Sequence, residues 1–483
     1  MQTSLSPELV SDVFSNLREA NYTFAATYPG DSGERQPVHT VYGGAQIFKA
    51  DTARKLGDVG RRSFLEYAPD FATFARALEL PGFSLLPKGA AQIASLTKHV
   101  KKNPDAVKRK NRPAWLACTM YNRIVDKLKS EPVEDFRIDF EDGYGNRSDS
   151  EEDGHAEFTA QEVARGLREG TLPPFIGIRI KPMTEELKVR SVRTLDIFVT
   201  TLVRETGGVL PPNFVITIPK VTIPQQVTAA VELCTMLERK TELRPGDLKL
   251  ELMIETPQSI FNTKGESHIP LLAAAGEGRI VGMHFGVYDY TALCEITAAY
   301  QAMRHPACDF ARHMMKVALA QTGITISDGA TNIMPVGPHR SNEGRRLTAR
   351  QVAENRAAVH RAWKLAFDDT MHSLRHGFYQ GWDLHPAQLC VRYAAVYAFF
   401  LEGLDLATLR LKSFMEKAAQ ATLIGDVFDD AATGQGLLNY FLRGMSCKAI
   451  TEEEALATGL TLEELRSRSF VKIVNGRRKN STR

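Results

Sequence analysis

Short runs of β-branched and aromatic residues alternate with longer stretches of helical pattern through most of this 483-residue chain. Apolar residues at 188–205, 222–238, 309–321 and 347–374 recur with the 3.6-residue period of an amphipathic helix. Strands that alternate with helices predict a parallel sheet, because each crossover helix returns the chain to the same edge. The strand-like runs begin at His39, Phe136, Phe175, Phe214, Leu248, Ile280, Ile324 and Phe378.

Eight parallel strands form either an open sheet or a closed barrel. Most of the runs are apolar on both faces, as is typical of strands buried inside a barrel. No GxGxxG sequence follows the first strand, whereas polar residues stand at the carboxyl end of nearly every strand, where barrel enzymes have their active sites. The pattern therefore predicts an α/β fold, a (β/α)₈ TIM barrel over about residues 39–400.

Three segments lie outside this repeat. Residues 1–30 have a helical pattern and predict an N-terminal helical extension, and residues 146–172 are polar and predict an acidic insertion after the second strand. Residues 401–483 predict a C-terminal helical extension with a basic tail, GRRKNSTR. We therefore divide the chain into a catalytic domain, 1–400, which includes the N-terminal extension, and the C-terminal extension, 401–483.

Composition excludes several classes of protein. The formal net charge is +3, whereas a dedicated nucleic-acid binder usually has a strong basic excess. No apolar run reaches the roughly eighteen residues of a membrane span, and the N-terminus lacks the pattern of a secretory signal. The six cysteines are scattered without a CxxC pair, as in a reducing cytosol. We expect a cytoplasmic protein with no nucleic-acid or membrane partner.

Charged side chains follow the predicted strands at their carboxyl ends. A solvated strand end explains any one of them, but the ring as a whole predicts a site for an anionic, carboxylate-bearing small molecule around a hard cation. Carboxylate ligands favour Mg²⁺ or Mn²⁺, and Mg²⁺ commonly uses one or two carboxylates with water and substrate oxygens. The ring consists of Asp139, Glu141, Asp142, Arg179, Lys181, Lys220, Glu255, Asp289, Asp328, Asp383 and His385.

The first strand ends in a glycine pair, Gly43 and Gly44. Glycines at such a place let backbone N–H groups approach a substrate closely, although a glycine pair more often turns the chain. Together with the basic strand ends Arg179 and Lys220, this pair makes up the predicted substrate-binding set.

Seven short stretches of the chain resemble the HpcH/HpaI aldolase and citrate lyase β-subunit-like family, with malate synthase as a more distant relative. The resemblance spans about residues 39–400 and implies a long, atypical member of the pyruvate/phosphoenolpyruvate-binding TIM-barrel superfamily. It also implies Mg²⁺-dependent making or breaking of a carbon–carbon bond next to a carbonyl. In the order of the family, the stretches are DFEDG from Asp139, GIRI from Gly177, IPKV from Ile218, LMIETP from Leu252, FGVYDYTA from Phe285, SDGA from Ser327 and LHPAQ from Leu384.

The same resemblance implies roles for individual residues of the site. Glu255 and Asp289 match the metal ligands, and Arg179 matches the arginine that contacts the substrate carboxylate and carbonyl. The reaction implied passes through an enolate, whose negative charge needs a cation on its oxygen. Arg179 would add a fixed bidentate charge. The acidic strand end that arranges the metal's waters and the arginine is matched by Asp139, Glu141 and Asp142, and candidates for a catalytic aspartate of the kind that some relatives take from a neighbouring subunit are Asp426, Asp429 and Asp430.

Three functions are consistent with these observations. The first is a Mg²⁺-dependent lyase or aldolase that acts on a 2-oxo acid, a hydroxy acid or a coenzyme A thioester. The second is a malate-synthase-like condensation or other enolpyruvate chemistry on the same barrel. The third is a binding or regulatory barrel without catalysis, against which the intact set of Arg179, Glu255 and Asp289 argues. The family resemblance also implies a homo-oligomer.

Overall fold

Eight parallel strands form a closed barrel in the computed structural model, which describes residues 4–30, 34–341, 346–416, 422–424, 427–429 and 431–481. The strands pair in the order β7-β6-β5-β4-β3-β2-β1-β8. The ring closes where the Asp328 N–H donates to the Gln380 carbonyl (2.9 Å) and the Trp382 N–H to the Gly329 carbonyl (3.0 Å). The predicted (β/α)₈ barrel is confirmed. Its strands are β1 His39–Gly44, β2 Asp135–Asp139, β3 Phe175–Arg179, β4 Phe214–Ile218, β5 Lys249–Ile254, β6 Ile280–Phe285, β7 Thr325–Ser327 and β8 Gly381–Asp383.

Helices surround the barrel and extend the chain at both ends. The helices are α1 Pro7–Thr27, α2 Thr52–Tyr67, α3 Phe71–Leu78, α4 Ala90–Lys102, α5 Pro104–Lys110, α6 Arg112–Ser130, α7 Asp149–Glu169, α8 Lys188–Thr206, α9 Pro224–Lys240, α10 Pro257–Ile260, α11 Ile269–Ala275, α12 Val287–Leu293, α13 Pro306–Leu319, α14 Ala349–Arg375, α15 Leu389–Glu416, α16 Ala431–Ser446, α17 Glu452–Leu456, α18 Leu462–Arg466 and α19 Phe470–Ser481. Short 3₁₀ turns cover Ala45–Ile47, Phe83–Leu85, Ala298–Tyr300 and Pro386–Gln388. An antiparallel hairpin of β9 Thr422–Ile424 and β10 Val427–Asp429 follows α15. The four predicted helices correspond to α8, α9, α13 and α14.

The acidic stretch 146–172 is part of the barrel wall and not the insertion that its composition suggested. It forms α7, the crossover helix between β2 and β3. The helix begins with a capping box of Ser148 and Glu151 and ends at Gly170, whose left-handed backbone suits a helix terminus. The long connection of this barrel lies elsewhere, between β1 and β2, where residues 45–134 include α2 to α6.

Ion pairs hold α7 against α8, which explains why its sequence lacks a strong apolar stripe. Asp153 pairs with Arg190 and with Arg193, the latter at 2.6 Å. Glu152 is buried and pairs with Lys181 at 2.8 Å. Polar composition was therefore misleading here, because the acids of α7 meet bases across a helix–helix contact.

Charged side chains occupy the interior of the barrel, where the apolar runs had suggested a hydrophobic filling. The guanidinium of Arg137 donates to both carboxylate oxygens of Glu251, at 3.0 and 2.7 Å, and also binds Asp135. Glu251 accepts from Thr217 (3.0 Å) and lies 3.1 Å from His284 Nε2. Burial raises the pKa of Glu251, but Arg137 and His284 hold it below its usual range. Buried charges persist when they are paired in this way.

The two ends of the chain are helical, as predicted. Within α1 no residue is buried, and the side chains of Leu9, Val13 and Phe24 are 63–71% exposed. At the other end α15 packs against α6 and α14, and α16 to α19 follow it. The predicted domain boundary at residue 400 falls inside α15 and stays a prediction. In the part of the chain that the structure describes, no helix is long and apolar enough to cross a membrane.

Gly177 tests the register between β3 and β4. A Cβ at this position would lie 2.2 Å from the Val215 carbonyl oxygen, which belongs to the neighbouring strand. We expect Gly177→Ala to lower the free energy of unfolding by about 2–4 kcal/mol, because a paired strand cannot yield as a side chain can. In the control Gly154→Ala the added methyl meets nothing within 4 Å, so stability should rise by up to about 1 kcal/mol. Urea unfolding measures the stability of both variants. Equal midpoints for Gly177→Ala and the wild type would contradict the register.

Candidate active site

Arg179 is fixed at the carboxyl end of β3 by Asp139 at the end of β2. Its Nε and Nη2 donate to the two carboxylate oxygens at 2.7 and 2.6 Å. Asp139 is itself held by the backbone N–H groups of Glu141 (3.0 Å) and Gly143 (2.7 Å). The remaining nitrogen, Nη1, lies 3.2 Å from Glu141 Oε2, and the ring of Tyr42 lies 4.7 Å from the guanidinium carbon. The guanidinium is therefore held in one orientation before any substrate arrives.

Lys220, just after β4, joins acids that come from three different strand ends. Its backbone N–H donates to Glu255 Oε1 at 2.7 Å. Its ammonium binds Glu141, lies 3.2 Å from Asp142 Oδ1 and 3.8 Å from Asp289 Oδ1. Lys220 has φ of 50°, a backbone conformation that is uncommon for a residue with a side chain and is often found at functional sites. We call Glu141, Asp142, Glu255 and Asp289 the carboxylate cluster.

Glu255 has the most perturbed acid–base behaviour of this cluster. The side chain is buried, and burial together with the negative charge of Asp289 raises its pKa to about 8, against the opposing charges of Arg179 and Lys220. Burial also raises the pKa of Glu141. The raised pKa values show that Arg179 and Lys220 do not fully offset the burial of these acids, so a further positive charge would be favourable here. A divalent cation would supply it.

The oxygen donors fit a hard cation that takes few protein ligands. Glu255 and Asp289 offer carboxylate oxygens within mutual electrostatic reach. Among the described residues, no group of three or more His, Cys, Asp or Glu side chains is arranged to hold an ion. Mg²⁺ is commonly bound by one or two carboxylates and completes its shell with water and substrate oxygens. The residues present therefore suit Mg²⁺ or Mn²⁺, and the assignment stays a prediction.

The charged strand ends separate into an inward group and an outward group. Arg179, Lys220 and their acidic partners meet at the barrel mouth, as the sequence suggested. Three others, Lys181, Asp328 and Asp383, form ion pairs with surrounding helices, whereas His385 accepts from the Ala387 N–H through Nδ1 (3.1 Å) and caps the short turn Pro386–Gln388. These outward pairs are Lys181 with Glu152 (2.8 Å), Asp328 with Arg312 (2.9 Å) and Asp383 with Arg392 (3.0 Å).

The glycine pair of β1 lies beside the acidic loop that follows β2. Gly43 and Gly44 pair with Ile138 and Asp139. A Cβ on Gly44 would lie 2.4 Å from the carbonyl oxygen of Gly143, so close packing already accounts for this glycine. Its predicted contact with a substrate stays a prediction. The candidates Asp426 and Asp430 lie outside the described residues, and Asp429 is described only as part of β10.

Two aromatic residues of the site escaped the sequence interpretation. Tyr42 lies between Arg179 and Trp382, and the centroids of its ring and the tilted Trp382 ring are 4.5 Å apart. Its hydroxyl is buried and has no hydrogen-bond partner among the described residues. Trp382 in turn donates from Nε1 to His284 Nδ1 at 3.3 Å. The signal that could have found Tyr42 is the two-residue alternation of β1, which places it on the same face as Gly44.

Glu255 predicts how the stability of the metal-free protein depends on pH. Its folded-state pKa of about 8 lies above the ordinary value of 4.5, so the folded state binds the proton more tightly. The resulting stabilisation is present at low pH and is lost as pH rises towards 8. In the presence of EDTA, the free energy of unfolding of the wild type should fall by on the order of a few kcal/mol between pH 6 and pH 9. Glu255→Gln should remove this fall. Denaturant unfolding at both pH values measures the difference, and an unchanged difference in the variant would contradict the assignment.

Comparison with known proteins gives one family and a set of similar folds. The family described as "Domain of unknown function (DUF6986)" matches residues 17–473. No curated protein matches the sequence significantly. The chain is similar to a citrate lyase from Burkholderia xenovorans LB400, with a TM-score of 0.50 and 17% identity over 70% of this chain and 92% of that one. This likeness supports the barrel fold.

Two further structures share less of the geometry. The protein CitE from Mycobacterium tuberculosis, in complex with magnesium, acetoacetate and coenzyme A, has a TM-score of 0.42 and 16% identity over 68% of this chain and 95% of that one. Haloferax volcanii malate synthase, as a lead(II) complex, has a TM-score of 0.40 and 16% identity over 74% of this chain and 93% of that one. At such identities a likeness concerns the fold and not the reaction.

Proposed function

We propose that this chain, which belongs to the DUF6986 family, is a Mg²⁺- or Mn²⁺-dependent carbon–carbon lyase of the aldolase or citrate lyase type. Its substrate would be a 2-oxo acid, a hydroxy acid or an acyl-CoA. One observation carries the proposal: a guanidinium fixed by Asp139 faces the same barrel mouth as the Glu255–Asp289 pair. The motif resemblance and the similarity to a citrate lyase fold support it.

Arg179 supplies an oriented positive charge to this chemistry. Two of its three nitrogens are engaged by Asp139, so the guanidinium cannot rotate, and Nη1 points towards the acids of the mouth. When a carbon–carbon bond next to a carbonyl breaks, its electron pair moves onto the carbonyl oxygen. A donor that is already aimed at this oxygen stabilises the charge without reorganisation. A bound divalent cation would supply further positive charge to the same oxygen.

Lys220 would keep the acids of the mouth from repelling an anionic substrate. Its ammonium contacts Glu141 and Asp142 and lies 3.8 Å from Asp289. The acids raise its pKa, so the positive charge is retained at neutral pH. In this arrangement Lys220 is a positioning residue for the carboxylate cluster, and its contact with substrate is a secondary role.

The metal assignment is tested by two substitutions in the full-length protein. Glu255→Gln and Asp289→Asn each remove one of two proposed carboxylate ligands, and we expect Mn²⁺ to bind at least about tenfold more weakly to either. Isothermal titration calorimetry measures the dissociation constants.

Glu232→Gln is the matched control, because this glutamate is exposed on α9. The control should bind Mn²⁺ like the wild type. If the two ligand variants also bind Mn²⁺ as tightly as the wild type, the metal site lies elsewhere and the assignment is wrong.

The reaction class is tested by a ligand screen with Mg²⁺ present. Acetyl-CoA, pyruvate, oxaloacetate and glyoxylate are titrated singly and in pairs, and product is followed by NMR. Cleavage of an oxo acid or of an acyl-CoA would support the lyase. Condensation of acetyl-CoA with glyoxylate would identify the malate-synthase-like alternative. Binding without turnover of any of these compounds would favour the non-catalytic barrel.

Whichever reaction is found, Arg179→Lys should lower kcat/KM by about 10²-fold or more, because a point charge cannot replace the planar, bidentate fork. Steady-state kinetics on the identified substrate measure the loss. Arg193→Lys provides the control, since this arginine lies on the outer surface of α8. A near-normal rate for Arg179→Lys would refute the proposed role.

The homo-oligomer and the cytoplasmic location remain predictions.

A further inference from the structure

Helix α1 buries none of its 21 residues, although several of them are large and apolar. In proteins most helical stability comes from the packing of an apolar face against a neighbour and not from intrinsic propensity. The chain just beyond α1 is tied to the barrel, where the Gly30 N–H donates to the Gln321 carbonyl at 2.9 Å. The helix itself therefore presents an apolar surface that a further partner would cover.

The apolar residues of α1 have the spacing of a coiled coil. Steps of three and four residues separate positions 10, 13, 17, 20, 24 and 27, and this 3.5-residue repeat is the one with which two helices pack side by side. Leu9 and Phe14 flank these positions on either side. The residues that we call the α1 seam are Val10, Val13, Leu17, Ala20, Phe24 and Thr27.

The charged residues of α1 lie on its other side. With about 100° of rotation per residue, all four are at least about 100° round the helix from the centre of the α1 seam. A second copy of the seam would therefore meet no charge. Three acids and one base also distinguish α1 from the Lys- and Arg-rich helices that lie on anionic lipid surfaces. The four residues are Glu8, Asp12, Arg18 and Glu19.

The α1 seam is complementary to itself when two copies run antiparallel, in a register centred between Arg18 and Glu19. The layers of such a pair, each of which occurs twice, combine Leu17 with Ala20, Phe24 with Val13 and Val10 with Thr27. The first two layers set a larger side chain against a smaller one, and the third pairs side chains of nearly equal shape. The Thr27 hydroxyl already donates to the Thr23 carbonyl at 3.0 Å, so it needs no partner in the seam. A parallel pair would instead place Phe24 against Phe24 and Ala20 against Ala20, which makes layers of uneven width.

The exposed surface of α1 is large enough for a specific contact. Five side chains on or beside the seam are 52–71% exposed, namely Leu9, Val13, Phe14, Leu17 and Phe24. If each exposes roughly 100 Å², two paired copies would remove on the order of 1,000 Å² of apolar surface from water. This is about the lower limit of a specific protein interface, which is roughly 1,000 Å².

We propose that α1 is a dimerisation helix, which pairs antiparallel with α1 of a second copy of this chain through the α1 seam. The surface lies outside the barrel, so the proposal does not rest on the proposed lyase activity. Because each barrel is tied to the C-terminal end of its own α1, the two barrels would lie at opposite ends of the helix pair. The α1 seam would then be a contact surface for the homo-oligomer that the sequence predicts.

The first test is the molar mass of the full-length protein, measured by sedimentation over a range of concentrations. Leu17→Glu should halve the mass of the wild-type assembly and raise the dissociation constant by about 100-fold or more, because each dimer would bury two unpaired charges. Tyr22→Glu is the matched control, since it also replaces a large exposed side chain of α1, but on the face opposite the seam, and the mass should stay that of the wild type. A monomeric wild type, or equal masses of the two variants, overturns the proposal.

The second test concerns the register. Val10→Cys and Thr27→Cys proteins are treated with a short bismaleimide, each alone and as a mixture. Antiparallel pairing should give cross-linked dimer only in the mixture, because Val10 and Thr27 share a layer whereas the two copies of either residue lie roughly 25 Å apart. The wild type measures the background from the six native cysteines. Cross-linking of Val10→Cys alone above this background, or none in the mixture, overturns the antiparallel pairing.

Discussion

The buried pair of Arg137 and Glu251 is the interaction on which the rest of the barrel depends. It joins β2 to β5 across the interior through two hydrogen bonds, with Thr217 of β4 bound to the same carboxylate. Because side chains alternate along a strand, the pair also decides what faces the mouth: Asp139 stands two residues beyond Arg137. A one-residue slip of either strand would bury apolar side chains against an unpaired charge. The site geometry is therefore a consequence of pairing deeper in the barrel.

Much of this fold follows from local pattern. Eight strand-like runs and four long amphipathic segments predict the barrel, since the connection between parallel strands leaves few alternatives. The wrong expectation, an insertion at 146–172, came from composition: the segment is acidic and polar, and its sequence does not show that Arg190, Arg193 and Lys181 bind Asp153 and Glu152. A pattern within one segment of sequence gives no information about partners that lie on a different segment. The same limit hid the large connection between β1 and β2 among ordinary helices.

The sequence predicted which residues form the site, but it did not predict their geometry. Strand ends and family-like motifs identified Arg179, Glu255 and Asp289 as site residues. They could not show that Asp328 turns outward to Arg312. Nor could they show that Lys220 adopts a left-handed backbone to place its N–H on Glu255. Tyr42 was missed because an aromatic residue in a strand is ordinarily core. Its contacts with Arg179 and Trp382 exist only once β1, β3 and β8 are adjacent.

The seam between α7 and α8 makes one sector of the barrel wall sensitive to dissolved ions. Its outer pair, Asp153 with Arg193, lies near solvent, where mobile ions screen charges over about 10 Å at 0.1 M salt. Glu152 beneath them is sheltered from the same ions by burial. Raising the ionic strength therefore loosens the outer part of this seam while its inner contact to Lys181 persists. The part of the wall beside the acidic loop of the site is therefore held less tightly at high salt than at low salt.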